Sequence, residues 1–298
     1  MVYDLIIVGG GLAGITAAIY AARKEMKFAI ISPELGGEIQ NTTYVENWPG
    51  IKSIDGKELA NNYVEHLKSF NVEIIEDAVT EVKKENNIFI IKTYGNTYES
   101  KTVLWATGSK YRELGAKGEQ EFKSRGVTYC STCDGPLFKN KIVAVVGAGN
   151  NGLTSAIYMA DLASKVYLVN KNPVLKGDPI LADKLISHPK VEIVNNAKVK
   201  EIKGDKLVTS IILEDNREIE VQGIIINVGY TPITEPIKAL VQLDAYGYLA
   251  VDNKGMTSTE GLFAAGDVVN NPYKQLAISA GQGCTASLGI YDYLSTKK

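Results

Sequence analysis

Two thiols three positions apart, followed at once by an acid, stand in the run Tyr129-Cys130-Ser131-Thr132-Cys133-Asp134-Gly135-Pro136. The chain of 298 residues has three cysteines, and two of them fall within four positions, which marks a redox pair rather than two ordinary buried thiols. Thiols at this spacing lower each other's pKa and close a compact disulfide. Asp134 is placed either to deliver and remove a proton at that pair or to cap the turn that Gly135-Pro136 begins, and both roles are open. Cys284, in an apolar stretch of small residues, reads as a packed thiol with no redox role. His66 and His188 are the only histidines and lie far apart, so no His-based catalysis and no metal site is expected.

A redox pair needs elements that bring electrons to it, and two glycine turns fit that task. Leu5–Val8 is an apolar strand that runs into Gly9-Gly10-Gly11-Leu12-Ala13-Gly14, after which Ile15–Lys24 carries small and apolar residues at helical spacing. Gly9 permits the tight turn, Gly11 lets the backbone approach a pyrophosphate, and Gly14 lets helix pack on strand. The strand Phe28–Ile31 closes the βαβ unit, and Glu34 lies about 20 residues past the last glycine, where a ribose hydroxyl is held. The pattern restarts at Lys141, with a strand over Ile142–Val146, the turn Gly147-Ala148-Gly149-Asn150-Asn151-Gly152 and a helix over Leu153–Ala163. Val103–Gly108 in the first half is answered by Ile224–Gly229 in the second. Each half also holds a hairpin, Ala78–Lys84 with Ile88–Tyr94 and Val199–Ile202 with Leu207–Leu213. Asp55–Phe70 reads as a helix with Leu59, Tyr63 and Leu67 on its core face.

The closing segment, with a strand ending at Gly266-Asp267 and a helix over Gln275–Leu294, has no place in a second unit already complete by Gly229. The expected fold is therefore α/β, two Rossmann-like three-layer ββα nucleotide-binding domains, the second inserted into the first. Residues 1–113 and 232–298 form one domain and 114–231 the other, with Gly115–Gly118 and Pro232–Pro236 as hinges. A net charge of -2 gives no pull toward nucleic acid or membrane. No run approaches the roughly 18 apolar residues of a membrane helix, and the amino terminus has no basic leader, so a cytoplasmic setting is expected.

With these motifs in order, the chain resembles the low-molecular-weight thioredoxin reductases over essentially its whole length. Gly9-Gly10-Gly11-Leu12-Ala13-Gly14 is similar to that family's FAD pyrophosphate loop, Glu46-Asn47-Trp48-Pro49-Gly50 to its flavin-side loop, and Ala106-Thr107-Gly108 to the strand end flanking FAD. Gly266-Asp267-Val268 resembles the Gly-Asp that holds the ribityl chain, and Lys274-Gln275-Leu276 stands where the family has Arg-Gln-Ala beside the ring. Cys130-Ser131-Thr132-Cys133-Asp134 is similar to its Cys-Ala-Thr-Cys-Asp. The resemblance implies FAD as cofactor, thioredoxin as the partner reduced through Cys130 and Cys133, Asp134 as the acid, a swivelling inserted domain, and a homodimer. Larger disulfide reductases place a wider pair soon after the first glycine loop, where Gly36–Glu46 here has no cysteine. Peroxiredoxin-reducing relatives add a thioredoxin-like domain in front, which these residues do not accommodate.

The second glycine loop departs from the family. NADPH-dependent members follow the second strand with His-Arg-Arg, because guanidinium forks grip a ribose phosphate. This chain has Leu168-Val169-Asn170-Lys171-Asn172-Pro173-Val174-Leu175-Lys176-Gly177, with no arginine and with Asn170 where an NADH site wants an acid. Two readings stand. Lys171 and Lys176 bind the phosphate of NADPH loosely, or the domain survives as a carrier of the cysteines and the flavin is reduced by ferredoxin; the second is the one expected. A non-catalytic FAD-binding redox sensor is a third, opposed by the intact cysteine pair with Asp134.

Overall fold

The computed structural model describes residues 1–42 and 44–297. It divides into two compact units, Met1–Asn41 with Val45–Lys110 and Thr231–Lys298, and Thr42–Tyr44 with Tyr111–Tyr230. In chain order come β1 (Val2–Gly10), α1 (Leu12–Arg23), β2 (Phe28–Leu35) and the two-residue strands β3 (Tyr44–Val45) and β4 (Ile54–Asp55). There follow α2 (Gly56–Lys68), β5 (Glu73–Ile75), the hairpin β6 (Val79–Glu85) and β7 (Ile88–Thr93), and β8 (Thr97–Trp105). Leu5, Ile6 and Ile7 are buried on both faces of the sheet, as a parallel strand covered on either side requires, and Ile6 sits between Ala29 and Val103 in parallel register. The sheet runs β5-β2-β1-β8-β7-β6. Asn86 and Asn87, both with positive φ, form the two-residue turn that joins β6 to β7.

The chain passes through β9 (Ser109–Tyr111) into the second unit, which holds β10 (Val127–Thr128), α3 (Ser131–Asp134), β11 (Ile142–Val146), α4 (Asn150–Leu162) and β12 (Lys165–Val169). It continues with α5 (Pro179–Ile186), β13 (Val191–Val194), β14 (Val199–Gly204), β15 (Val208–Leu213), β16 (Glu218–Glu220) and β17 (Gly223–Ile226). Five strands pair in the order β10-β17-β11-β12-β13, and β14-β15-β16 form an antiparallel layer. After β18 (Tyr230–Pro232), which pairs with β9, the first unit is completed by β19 (Leu262–Ala264) beside β8 and by α6 (Leu276–Thr296). Each unit has its own core on both faces of its sheet.

The repeat is geometric as well as sequential. Gly9 (φ +116°) and Gly147 (φ +119°) turn the chain where a Cβ would lie 2.3 Å from the Ala106 carbonyl oxygen and 2.2 Å from that of Asn227. Helices α1 and α4 begin three residues before their apolar periodicity does, because Gly11 and Gly149 are already their N-caps. Asp55 stands outside α2 as its cap, its Oδ1 accepting from the Lys57 and Glu58 N–H groups at 2.9 and 3.1 Å. Helix α5 was not expected from sequence: it has only eight residues, and its packed Leu181, Ala182 and Leu185 are flanked by the exposed Ile180 and Ile186, which blurs the apolar face.

Candidate functional site

The thiols are positioned by the end of β10. Its last residue, Thr128, is followed by Tyr129 and then by Cys130, the N-cap of α3, whose Sγ accepts from the Cys133 N–H at 3.2 Å. Cys130 and Cys133 are joined as a disulfide, with Cα atoms 5.3 Å apart. Ser131 Oγ, buried, lies 2.9 Å from Ser155 Oγ and ties the four-residue α3 to α4. One step upstream, the Tyr129 hydroxyl donates to Glu119 at 2.8 Å. The Glu119 carboxylate, 2% exposed, also accepts from the Leu114 and Gly115 N–H groups at 2.9 and 2.7 Å.

Asp134 does not cap the turn at Gly135: its side chain makes no capping bond there. Instead its Oδ2 accepts from the Thr128 hydroxyl, which in turn accepts from the Cys130 N–H at 3.2 Å. Its Oδ1 is enclosed and has no partner among the described residues. Burial pushes the Asp134 carboxyl above its ordinary pKa, and the Thr128 bond pulls the other way. An acid held in this way, one residue from a sulfur, can carry a proton to a departing thiolate. The other cysteine, Cys284, is half-buried in α6.

A second feature is a cavity of about 430 Å³ within the first unit. Gly9, Gly11, Leu12 and Ala13 line it at the glycine turn, and Glu34 at the end of β2. Ala106, Thr107 and Gly108 line it after β8, and Gly266, Asp267 and Leu276 on the side of α6. Gly14 lies outside it, serving helix packing: a Cβ there would be 1.9 Å from the Gly9 carbonyl oxygen. Asn47, Lys274 and Gln275 are outside the lining too, although Asn47 Nδ2 donates to Gln275 Oε1 at 3.1 Å and so joins the 46–50 loop to the start of α6. Lys274 donates to the Val269 carbonyl at 2.7 Å, and burial lowers its pKa against the opposing pull of Asp267 and Asp244.

Sequence reasoning missed Ser32, whose Oγ accepts from the Gly10 N–H at 2.9 Å and donates to the Glu34 carbonyl at 2.6 Å, and also missed Asp77 to Val79 on the cavity wall. Only the placement of Ser32 two residues before Glu34 hinted at the first; nothing signalled the second.

The residues of this cavity fit a flavin nucleotide. The Gly11 cap offers no side chain to the first turn of α1, so backbone N–H groups there are free to meet a pyrophosphate. At the far wall burial pushes the Asp267 carboxyl up, with Lys274 and a 3.3 Å bond from Ser279 opposing, which leaves an acceptor suited to a sugar-chain hydroxyl.

The second glycine turn is occupied differently. Asn170 is 1% exposed and its amide is used in full: Nδ2 donates to the Val174 carbonyl at 3.0 Å and to Asn195 Oδ1 at 2.8 Å, while Oδ1 accepts from Asn172 N–H and Nδ2 at 3.1 and 3.3 Å. The segment it holds folds back on the turn, with Lys176 N–H donating to the Ala148 carbonyl at 2.9 Å and Asp178 N–H to Asn150 Oδ1 at 2.7 Å. Gly177 is packed so closely there that a Cβ would lie 2.4 Å from Leu153 Cδ1. Lys171 and Lys176 are exposed.

Comparison with known proteins agrees with this geometry. A crystal structure of thioredoxin reductase from Streptococcus pyogenes is 38% identical, covers 99% of both chains and superposes with a TM-score of 0.93. A structure of a ferredoxin-flavin thioredoxin reductase from Clostridium acetobutylicum is 33% identical over 99% of both chains, with a TM-score of 0.55. A Bacillus subtilis protein named NADH dehydrogenase is 39% identical over 98% of this chain and 58% of its own length; the chain spans about three fifths of the curated relatives it matches. The profile described as pyridine nucleotide-disulphide oxidoreductase matches residues 3–283, and the chain belongs to that family of FAD-binding flavoproteins, with the two-domain fold of the thioredoxin reductases.

Proposed function

We propose that this protein reduces the disulfide of thioredoxin or a thioredoxin-like protein, and that reduced ferredoxin, rather than NADPH or NADH, is its electron donor. The observation that carries the first half is the Cys130–Cys133 disulfide with Asp134 half-buried beside it. FAD, when bound, supplies two-electron transfer to that disulfide. The protein's own residues do the rest: the cavity of the first unit holds the cofactor, the paired thiols exchange with the partner disulfide, and Asp134 handles the proton. In this reading residues 1–113 and 232–298 are the FAD domain and 114–231 carry the pair, and the protein is a cytoplasmic homodimer. No helix among the described residues is long and apolar enough to cross a membrane.

The donor half rests on Asn170. A ribose site needs an acid or a guanidinium at this strand end, whereas this amide has no bonding capacity left and its segment is bonded onto the glycine turn. The Clostridium acetobutylicum relative, by its name a ferredoxin-flavin enzyme, supports the reading. A nucleotide-dependent enzyme with an atypical site is the second reading, favoured by the Bacillus subtilis relative named NADH dehydrogenase. Anaerobic mixing of the oxidised holoenzyme with NADPH, NADH and reduced ferredoxin separates them. Flavin bleaching by ferredoxin alone is expected, and rapid bleaching by either nucleotide overturns the donor assignment. Thioredoxin turnover surviving Cys130→Ser or Cys133→Ser would overturn the other half.

A further inference from the structure

We infer that Thr128 is the positioning residue for proton delivery at the redox pair: its hydroxyl holds Asp134 by one oxygen so that the other faces the exchange with its proton. The inference rests on the proposed disulfide exchange and deepens it. Thr128 is 6% exposed and its single O–H is committed to Asp134 Oδ2, while its oxygen takes the Cys130 N–H. One hydroxyl therefore fixes both the acid and the backbone of the first cysteine. The carboxyl keeps Oδ1 without a partner among the described residues, so that oxygen is left to carry the proton.

Among the described residues, the titratable groups placed near Asp134 include the two sulfurs at its own helix and, on the packed α4, the phenol of Tyr158, whose ring lies against Gly135. No neighbouring charge acts on the carboxyl; burial and the Thr128 bond set its behaviour.

The step balances as follows. The thiolate of one cysteine attacks a sulfur of the partner disulfide, a mixed disulfide forms, and the partner's other sulfur leaves with its electron pair. Asp134 gives that sulfur its proton. The remaining cysteine then loses its thiol proton to the Asp134 carboxylate and attacks the mixed disulfide. The Cys130–Cys133 bond closes, and the second partner thiolate takes a proton from water. Two electrons pass to the partner, and Asp134 ends as it began.

Proton delivery matters only when the leaving thiolate is basic. The FAD-loaded enzyme, reduced anaerobically with dithionite, is therefore mixed across the pH range with two probes. One is bis(2-hydroxyethyl) disulfide, whose aliphatic thiolate needs the proton; the other is 5,5′-dithiobis(2-nitrobenzoate), whose aromatic thiolate does not. With the aliphatic probe the wild-type rate is expected to fall along an alkaline limb as Asp134 ionises. Thr128→Val withdraws the bond that favours the carboxylate, so the limb moves to higher pH, and the plateau below it falls roughly fivefold because the acid is no longer aimed. Thr128→Ser restores both, and reduction of the aromatic probe stays within about twofold throughout. A limb that stays in place in Thr128→Val overturns the inference. So does an equal loss on both probes, which is the mark of a distorted α3. Asp134→Asn tests the underlying reading separately: it is expected to abolish the limb and slow the aliphatic probe about 100-fold. If the limb persists in Asp134→Asn, Asp134 is not the acid and the exchange mechanism itself falls. If Asp134→Asn loses the limb and Thr128→Val leaves it in place, Thr128 alone is excluded.

Discussion

Asp134 has one oxygen bonded to Thr128 and the other enclosed without a partner, so the fold opposes its ionised form more than it supports it. Its pKa is raised in the native state, which therefore binds the proton more tightly than the unfolded chain does. Stability is full below about pH 4, where both states are protonated. It falls as pH rises through the ordinary carboxylate value toward the raised one, and stays lower above that. Asp134→Asn removes the titration. Its midpoint of thermal unfolding, measured with the disulfide intact, is expected to match wild type in acid and to exceed it near neutrality. A gap that does not grow with pH would show that the carboxyl is not held against its charge. Reading Asp134 as acid or cap from sequence left two roles open, because the deciding group, Thr128, stands six positions upstream across a turn no local pattern specifies.

At the scale of elements, the two glycine turns were legible because Gly9, Gly14, Gly147 and Gly152 each answer a steric demand that leaves a trace in residue type. The first cavity shows the limit of that legibility. Its turn, Glu34, the 106–108 strand end and Asp267 were found from motifs, whereas Asp77 to Val79 reach the wall through a hairpin base that carries no signature. Asn170 is the sharper case. Sequence showed only that an acid and an arginine were missing, and contact geometry shows what replaced them: a knot that holds the 172–178 segment on the turn. Asn170→Ala removes the hydrogen bonds that the buried amide makes to Asn172, Val174 and Asn195, and is expected to cost about 2 kcal/mol of stability. Denaturant titration would show it, with flavin reduction by ferredoxin unchanged. Tighter binding of NADPH or NADH to this variant, followed by calorimetry, would mean that the segment is a gate and not a replacement.

At the scale of the whole molecule, the two units have separate cores, and the cofactor cavity is lined by residues of one of them alone. Ligand stabilisation acts only on the state that binds, by RT ln(1 + [L]/Kd), so FAD at about 100 times its Kd adds about 2.7 kcal/mol to the first unit. Amide hydrogen exchange is expected to slow on adding FAD to the apoprotein in β1, β2 and β8, and to change little in β11, β12 and β17. Equal protection of both sheets would show that the units unfold as one.

The first unit also closes the cut that the insertion makes in it, and the second ties its own two ends together. Ile233 N–H donates to the Gly108 carbonyl at 3.1 Å on the first unit's side, and Arg112 N–H to the Gly229 carbonyl at 2.9 Å on the second's. To the first unit, a folded insertion of roughly 120 residues is then no longer than a tight turn. An unfolded one is a loop whose closure costs about 4 kcal/mol on the logarithmic scaling of loop entropy. The chain therefore gains by folding its middle before its ends meet, and the same two junctions are where a different redox carrier could be spliced in without the first unit registering the exchange.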